Sequence, residues 1–262
     1  MPRAARPAAV QPAYVLHRYD WSETSLILDL FTRELGRVAV AAKGAKRPYS
    51  QLRSVLLPFQ RLQVSLSRPR DDEAAEVHTL RQAEWAGGLP GPGGAALFSA
   101  FYLNELLMKL LGREDPHPLL FDAYAAVLPG VAAGGDTEQA ALRSFELLLL
   151  RETGLLPELA HTTADSQPLQ PRALYLVRPD AGLWPVQGGT ETGLDGATLL
   201  AIEHALQQQD PLALQAACLP ALPALKPQLR ALLHYHLGSP QLRSRQVMLD
   251  VQRLIDRPPP AR

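Results

Sequence analysis

Cysteine is nearly missing from this chain: Cys218 is the only one in 262 residues. A single thiol builds neither an internal disulfide framework nor an all-cysteine metal site, and its usual role is packing. Long apolar runs are missing as well. No stretch of about 18 uncharged apolar residues occurs, so nothing in the sequence reads as a membrane-spanning helix. The opening MPRAARPAAVQP has basic residues but no apolar segment, and reads as a loose arm rather than a secretion signal. The expected location is cytoplasmic. Catalytic signatures are absent too: there is no GxxxxGKS/T loop, no strand-linked GxGxxG, no HExxH and no GxSxG. P-loop nucleotide hydrolysis loses its basis, and the expectation is a protein that is not an enzyme.

Lysine is also scarce, with only Lys43, Lys46, Lys109 and Lys226, so positive charge rests mainly on arginine. The formal net charge of zero conceals an asymmetry. Residues 1–70 hold 12 Lys and Arg against 4 Asp and Glu, whereas residues 71–262 hold 14 against 22. A basic first part and an acidic remainder point to a polyanion partner for the former.

From residue 13 the pattern is short and β-like. AYVLHRY, LILDLFT, GRVAVAAKG and LLPFQRLQVSLS have strand length and are separated by the turn-forming DWSE, RELG and KRPYSQ. A fifth stretch, AAEVHTLRQAEW, follows the charged turn RPRDDE. Five short strands with one apolar face predict a five-stranded OB-type β-barrel. At GGLPGPGG, residues 87–94, glycine and proline mark a boundary, and the pattern then turns helical. AALFSAFYLNELLMKLLG places Leu97, Phe101, Leu103, Leu107 and Leu110 on one broad face. HPLLFDAYAAVLPG and DTEQAALRSFELLLLRETGLL read alike, the second with Asp136 as a candidate N-cap. Within residues 160–193, RALYLV and LWPV flank a Pro-Asp-Ala-Gly turn and predict an inserted β-hairpin. Helical pattern resumes in GATLLAIEHALQQQ, LKPQLRALLHYHLG and LRSRQVMLDVQRLI, before PPPAR frays the end. The fold class is α+β: an OB-type barrel domain over residues 1–86, then a helical domain over 87–262.

Two candidate metal or catalytic groups carry little weight. His234 and His236 are two apart on a helix and point to different sides, where a metal pair needs a spacing of three or four. Asp71, Asp72, Glu73 and Glu76 read as a solvated turn guarding a strand edge, the alternative being a metal-binding nuclease cluster. GRVAVAAKGAKRPYSQLR carries more. A strand delivers Lys43 to its end, Gly44 permits a positive φ or a close backbone approach, and Lys46 and Arg47 follow before Pro48 stiffens the exit. Such a loop either holds phosphates or is an ordinary solvated turn. Arg18, Arg33, Arg37, Arg53, Arg61, Arg68 and Arg70 lie in the same region and favour phosphates. Tyr14, Tyr19, Trp21, Phe31, Tyr49 and Phe59 are interleaved with these cations. Alternation assigns most of them to the core. Trp21 and Tyr49, in turns, are the candidates for base stacking.

The block VLHRYDWSETSLILDLFTRELGRVAVAAKGAKRPYSQLRSVLLPFQRLQVSL closely resembles the N-terminal barrel of RecO recombination mediators. The resemblance continues in YLNELLMKLL, PLLFDAY, FELLLLRETGLLPEL and SPQLRSRQVML, in the same order. It implies an OB-fold domain followed by a helical domain, binding of single- and double-stranded DNA, and annealing of complementary strands. It further implies partnership with RecR, and in some lineages RecF, in loading RecA onto DNA coated by single-strand-binding protein (SSB), at the nucleoid. The DNA contacts would fall to Lys43, Lys46, Arg47, Arg18, Arg33, Arg37, Arg53 and Arg61, with Trp21 and Tyr49 stacking. The helical domain would dock the acidic, hydrophobic-ended tail of SSB, with Lys109, Arg143 and Arg151 as candidate cations beside Leu-rich faces.

Many RecO proteins carry four cysteines after the helix matching FELLLLRETGLLPEL, where they form a zinc site. The corresponding AHTTADSQPLQPRALYLVRPDAGLWPVQGGTETG has none, and His161 alone cannot supply four ligands. The expectation is no cofactor, with the hairpin held by Tyr175, Leu176, Val177 and Trp184. A generic single-stranded nucleic-acid binder without mediator activity, a metal-dependent nuclease and a purely structural adaptor are the competing readings.

Overall fold

The computed structural model describes residues 10–67, 77–88, 91–186, 192–238 and 242–255. The acidic turn at 71–76, Arg68, Arg70, the N-terminal arm and PPPAR lie outside them. The chain forms two compact units: one holds the residues up to Gly91 together with Leu111–Ala125, the other Pro92–Leu110 and the remainder from Ala126.

In the first unit, β1 (Val10–Asp20), β2 (Leu26–Thr32), β3 (Gly36–Ala42), β4 (Leu62–Ser67) and β5 (Val77–Trp85) close into a barrel in the order β1-β2-β3-β5-β4. A short helix, α1 (Leu52–Val55), lies between β3 and β4. The cause is period-two patterning: Ala13 and Val15, Leu28 and Leu30, Val38, Val40 and Ala42, Leu62, Val64 and Leu66, and Leu80 and Ala83 meet inside. The β1–β2 register shifts between Val15 and His17, and this bulge keeps Arg18 opposite the core residue Leu28. Only the second half of LLPFQRLQVSLS is strand. Pro58 lacks an N–H to donate and makes only an isolated bridge to Val15, and Phe59 has φ +66°, so the continuous ladder starts at Leu62.

Tyr14 and Phe31 face each other across β1 and β2, on the opposite side of those strands from Ala13, Val15 and Leu30. They pack outside the barrel, against Phe121 and Tyr124 at the start of α3 (Pro118–Ala133), with ring centroids 4.9 Å apart for Tyr14 and Tyr124 and 5.4 Å for Phe31 and Phe121. Phe59 is buried, but Tyr19 remains exposed and reaches Asp29 with its hydroxyl, contrary to a core role. The segment before α3 is fastened to β3. The Glu114 N–H donates to the Arg37 carbonyl at 2.9 Å, and Arg37 Nη1 donates to the Leu111 carbonyl at 3.1 Å. Gly36 makes that approach possible, because a Cβ there would stand 1.9 Å from the Asp115 carbonyl oxygen.

The second unit contains α2 (Ala96–Leu110), α4 (Gly135–Glu152), α5 (Gly196–Gln207), α6 (Pro211–Cys218), α7 (Leu222–Leu237) and α8 (Arg243–Ile255). On α2 the buried stripe is Ala96, Ala100, Leu103, Asn104, Leu106 and Leu107. Leu97, Phe101 and Leu110 are only half-buried, at the margins of that stripe. The N-cap of α4 is Gly134 rather than Asp136, which sits in the first turn where its charge suits the helix dipole. Short α6 escaped the periodicity reading, although Asp210 caps it at 2.9 Å from the Leu212 N–H and Pro211 opens it.

The expected hairpin is present as β6 (Leu174–Arg178) and β7 (Gly182–Pro185), and β8 (Leu194–Asp195) adds a third strand beside β6. Its inward face is Tyr175, Val177, Leu183 and Leu194. Leu176 and Trp184, expected to hold it, instead pair with each other on the half-buried side, since strand side chains alternate faces. Buried Gln228 of α7 accepts the Val177 N–H at 2.8 Å and locks the sheet to the helices. Cys218 is fully buried, and burial pushes its thiol up to about 12, which suits packing.

Candidate nucleic-acid interface and a cationic pocket

Antiparallel register decides which barrel cations share an end. Asp20 of β1 pairs with Leu26 of β2, which pairs with Ala42 of β3, so the turn after β1 and the loop after β3 emerge side by side. Three bonds tie them: the Lys46 N–H to the Thr24 carbonyl at 2.9 Å, Lys46 Nζ to the Ser22 carbonyl at 3.1 Å, and the Gly44 N–H to Ser25 Oγ at 3.5 Å. Gly44 takes φ +72°, which turns the chain sharply after Lys43. Lys43, Arg47 and Arg53 are exposed and, among the described residues, engage no acid. Trp21 is 57 % and Tyr49 97 % exposed on the same two loops. Lys46 is partly committed, with Nζ 2.9 Å from Asp20. Arg18, Lys46 and Arg53 also line a cavity of about 400 Å³ at the barrel mouth, whose apolar wall is Leu26, Ala45, Leu52 and Leu56. Arg18 is held there by a 3.2 Å bond to the Leu56 carbonyl.

Three expected cations lie elsewhere. Arg33 and Arg37 sit beside Thr32 and Gly36, which pair with each other at the opposite end of β2 and β3, roughly 20 Å from the loops at 3.3 Å per residue. Arg33 makes a forked ion pair with Asp122, the shortest bond being 2.9 Å. Arg37 is largely buried, with Nε 3.5 Å from Asp29. Arg61 is exposed but precedes β4, beyond the Ala13–Leu62 pair and away from the two loops.

The partner candidates separate in the same way. Lys109 is exposed in the last turn of α2. Arg151 makes a forked pair with buried Glu203 at 3.1 and 2.6 Å, and Glu203 also accepts the Leu159 N–H at 2.9 Å. Burial opposes ionisation of Glu203, but the bonds from Arg151 and Leu159 prevail and hold its carboxyl below the usual value. Arg151 is therefore a structural tie.

Arg143 has a different setting. It is 6 % exposed and 2.6 Å from Glu146, which is wholly buried and also accepts the Tyr102 hydroxyl at 2.6 Å. Both of those bonds reach one oxygen, and Glu146 Oε2 and Arg143 Nε have no hydrogen-bond partner among the described residues. Burial raises the Glu146 carboxyl, against the pull of Arg143 and Tyr102. Arg143 opens onto a cavity of about 150 Å³ with Phe98, Tyr102, Lys226, Arg230, Arg245 and Met248 in its walls. Burial and the neighbouring guanidinium groups lower both Lys226 and Arg230. Four cations thus crowd a small, partly apolar space around one buried acid. Sequence reading missed Lys226, Arg230 and Arg245; the signal available was the rare lysine of LKPQLR, on a helix that carries no acidic residue to pair with it.

A zinc site does not fit the hairpin region. His161 is engaged by Glu158 at 3.0 Å, and the turn is closed instead by Thr162 with Asp165 and by Thr163 Oγ1 accepting the Leu183 N–H at 2.8 Å. No group of three or more histidine, cysteine or acidic side chains able to hold a metal occurs among the described residues. Among those residues no helix is long and apolar enough to cross a membrane.

A closed five-stranded barrel with a basic, aromatic loop end, followed by seven helices among the described residues, defines an OB-fold protein with a helical C-terminal part. Two family models extend this definition along the chain: Recombination protein O N terminal matches residues 8–89 and Recombination protein O C terminal residues 93–246. The DNA repair protein RecO of Delftia acidovorans is 52 % identical over 256 residues, 96 % of this chain and 99 % of its own. Those of Polaromonas sp. strain JS666 and Acidovorax ebreus are 51 % and 50 % identical, covering 93 % and 96 % of this chain and 97 % and 100 % of their own. The chain belongs to the RecO family of DNA-repair and recombination proteins.

Proposed function

We propose that the chain is a recombination mediator that binds single- and double-stranded DNA through the loop end of its barrel and anneals complementary strands. With RecR, and RecF where present, it helps load RecA onto SSB-coated DNA at the cytoplasmic nucleoid. The supporting observation is the cluster of exposed Lys43, Arg47 and Arg53 with Trp21 and Tyr49 on two bonded loops. Such cations displace condensed counterions from the phosphates regardless of sequence, and the aromatic faces accept unstacked bases. Neutralising two strands at once lowers their repulsion, so annealing needs no covalent chemistry. Lys46 and Arg18 complete the proposed contact surface. Arg33 and Arg37 support the fold instead, and Arg61 lies outside the cluster.

The proposed dock for the SSB tail is the cavity of Arg143, Lys226, Arg230 and Arg245. Its cations match acidic residues, and Phe98 and Met248 offer a place for one apolar side chain. Lys109 and Arg151 do not contribute to it. The test is annealing of complementary strands precoated with SSB, with and without the acidic tail. The reading predicts annealing that depends on the tail and is lost in Lys226→Glu/Arg245→Glu. Annealing of naked strands only would describe a generic single-strand binder.

A further inference from the structure

One wall of the cationic cavity is held by a residue outside it. α8 contributes Ser244, Arg245 and Met248 to the lining, and Arg245 lies in its first turn. The first N–H groups of a helix have no partner within it and need a cap. Leu242, which precedes α8, is buried and apolar and cannot supply one. Glu105 of α2 does so from 138 residues away: Oε1 accepts the Arg243 N–H at 2.9 Å, and Oε2 accepts the Ser244 N–H at 2.8 Å and its hydroxyl at 2.7 Å. Within α8 itself, Gln246 and Arg253 bond Asp250, so these contacts stay inside the helix and Glu105 is what ties its first turn to α2.

The charges nearby give this tether a purpose. Arg245 stands among Arg143, Lys226 and Arg230, close enough to lower the last two. Mutual repulsion among these cations opposes holding Arg245 beside the other three. The Glu105 carboxylate offsets that repulsion and places a negative charge at the positive end of α8. We infer that Glu105 is a positioning residue of the anion pocket: it anchors the first turn of α8 so that Arg245 and Met248 complete the binding wall. The inference rests on the pocket's taking an acidic peptide. Anchoring and ligand binding are reciprocal, so a bound acidic peptide protects the first turn of α8 by the same factor by which the anchor tightens the peptide.

The test uses the full chain and, as probe, a fluorescent acidic peptide with an apolar C-terminal residue. Glu105→Ala removes every bond to α8, and Glu105→Gln keeps one acceptor without the charge. Loss of charge-assisted caps predicts peptide affinity weakened about tenfold in Glu105→Ala and about threefold in Glu105→Gln. Amide exchange at residues 243–248 should rise in both, with single-stranded DNA affinity unchanged. In an Arg245→Ala/Met248→Ala background, Glu105→Ala should cost little more, because those changes already remove the contacts that the anchor positions. An equal loss in that background would mark a general destabilisation and overturn the inference. So would unchanged peptide affinity in Glu105→Ala while Arg245→Ala and Lys226→Ala weaken it. Peptide binding insensitive to Arg245→Ala and Lys226→Ala alike would remove the pocket reading, and this inference with it.

Discussion

At the loop end of the barrel, Lys43, Arg47 and Arg53 stand in water on short turns, whereas in the helical unit Arg143 is enclosed with Glu146 and faces three further cations across a small cavity. Exposed cations cost little to keep, act over a Debye length and are screened by salt, which suits a long polyanion of any sequence. Crowded, partly desolvated cations are costly to assemble and are screened less, which suits one discrete anionic group held in register. The chain keeps the two kinds of positive charge in separate units.

Breaking the buried arrangement should have the largest effect. Arg143→Met removes the one cation in direct contact with wholly buried Glu146, leaving it the Tyr102 hydrogen bond, and should lower unfolding stability by about 3 kcal/mol at neutral pH, read by urea denaturation. Lys43→Met at the barrel should change stability by no more than about 0.5 kcal/mol. Next in size, Trp21→Ala/Tyr49→Ala should weaken single-stranded DNA binding about tenfold, or about 1.4 kcal/mol, with a smaller effect on duplex, whose bases stay stacked. Equal loss on both substrates would reassign these rings to backbone contact.

The smallest effect is pH-dependent and separates the two buried acids. Glu203 is lowered in the folded state, so its contribution is fully present above its unfolded value of 4.5 and is lost as pH falls through the lower folded value. Glu146 is raised, so its contribution is present below 4.5 and is lost as pH rises through the higher folded value. Glu203→Gln should therefore flatten the acid limb of a stability–pH curve, and Glu146→Gln should relieve destabilisation above it. Thermal melts from pH 3 to 7 give both slopes.

Much of the barrel was legible because Leu28, Leu30, Val38, Val40 and Val64 alternate along strands, and alternation is a local signal. Lys43, Gly44, Lys46 and Arg47 were legible for the same reason, as turn chemistry next to a strand end. The destinations of Arg33 and Arg37 were not, since Asp122 and Leu111 lie about 75 to 90 residues away in sequence and only folding brings them near. Tyr14 and Phe31 read as core but pack on the outer face of their strands, because periodicity tells that a residue is covered and not by what. The pocket was hidden most completely. Its cations come from α4, α7 and α8, and its anchor, Glu105, is an ordinary acid on a helix face until Arg243 and Ser244 are placed against it.

The central claim, that the two bonded loops are the DNA surface, is tested most directly by the salt dependence of single-stranded DNA affinity. Each phosphate contact contributes about 0.7 to the slope of log affinity against log salt. Replacing Lys43, Lys46 and Arg47 together by alanine should reduce that slope by about 2 and leave peptide binding in the helical unit unchanged. An unaltered slope would place the DNA on another surface and contradict the account.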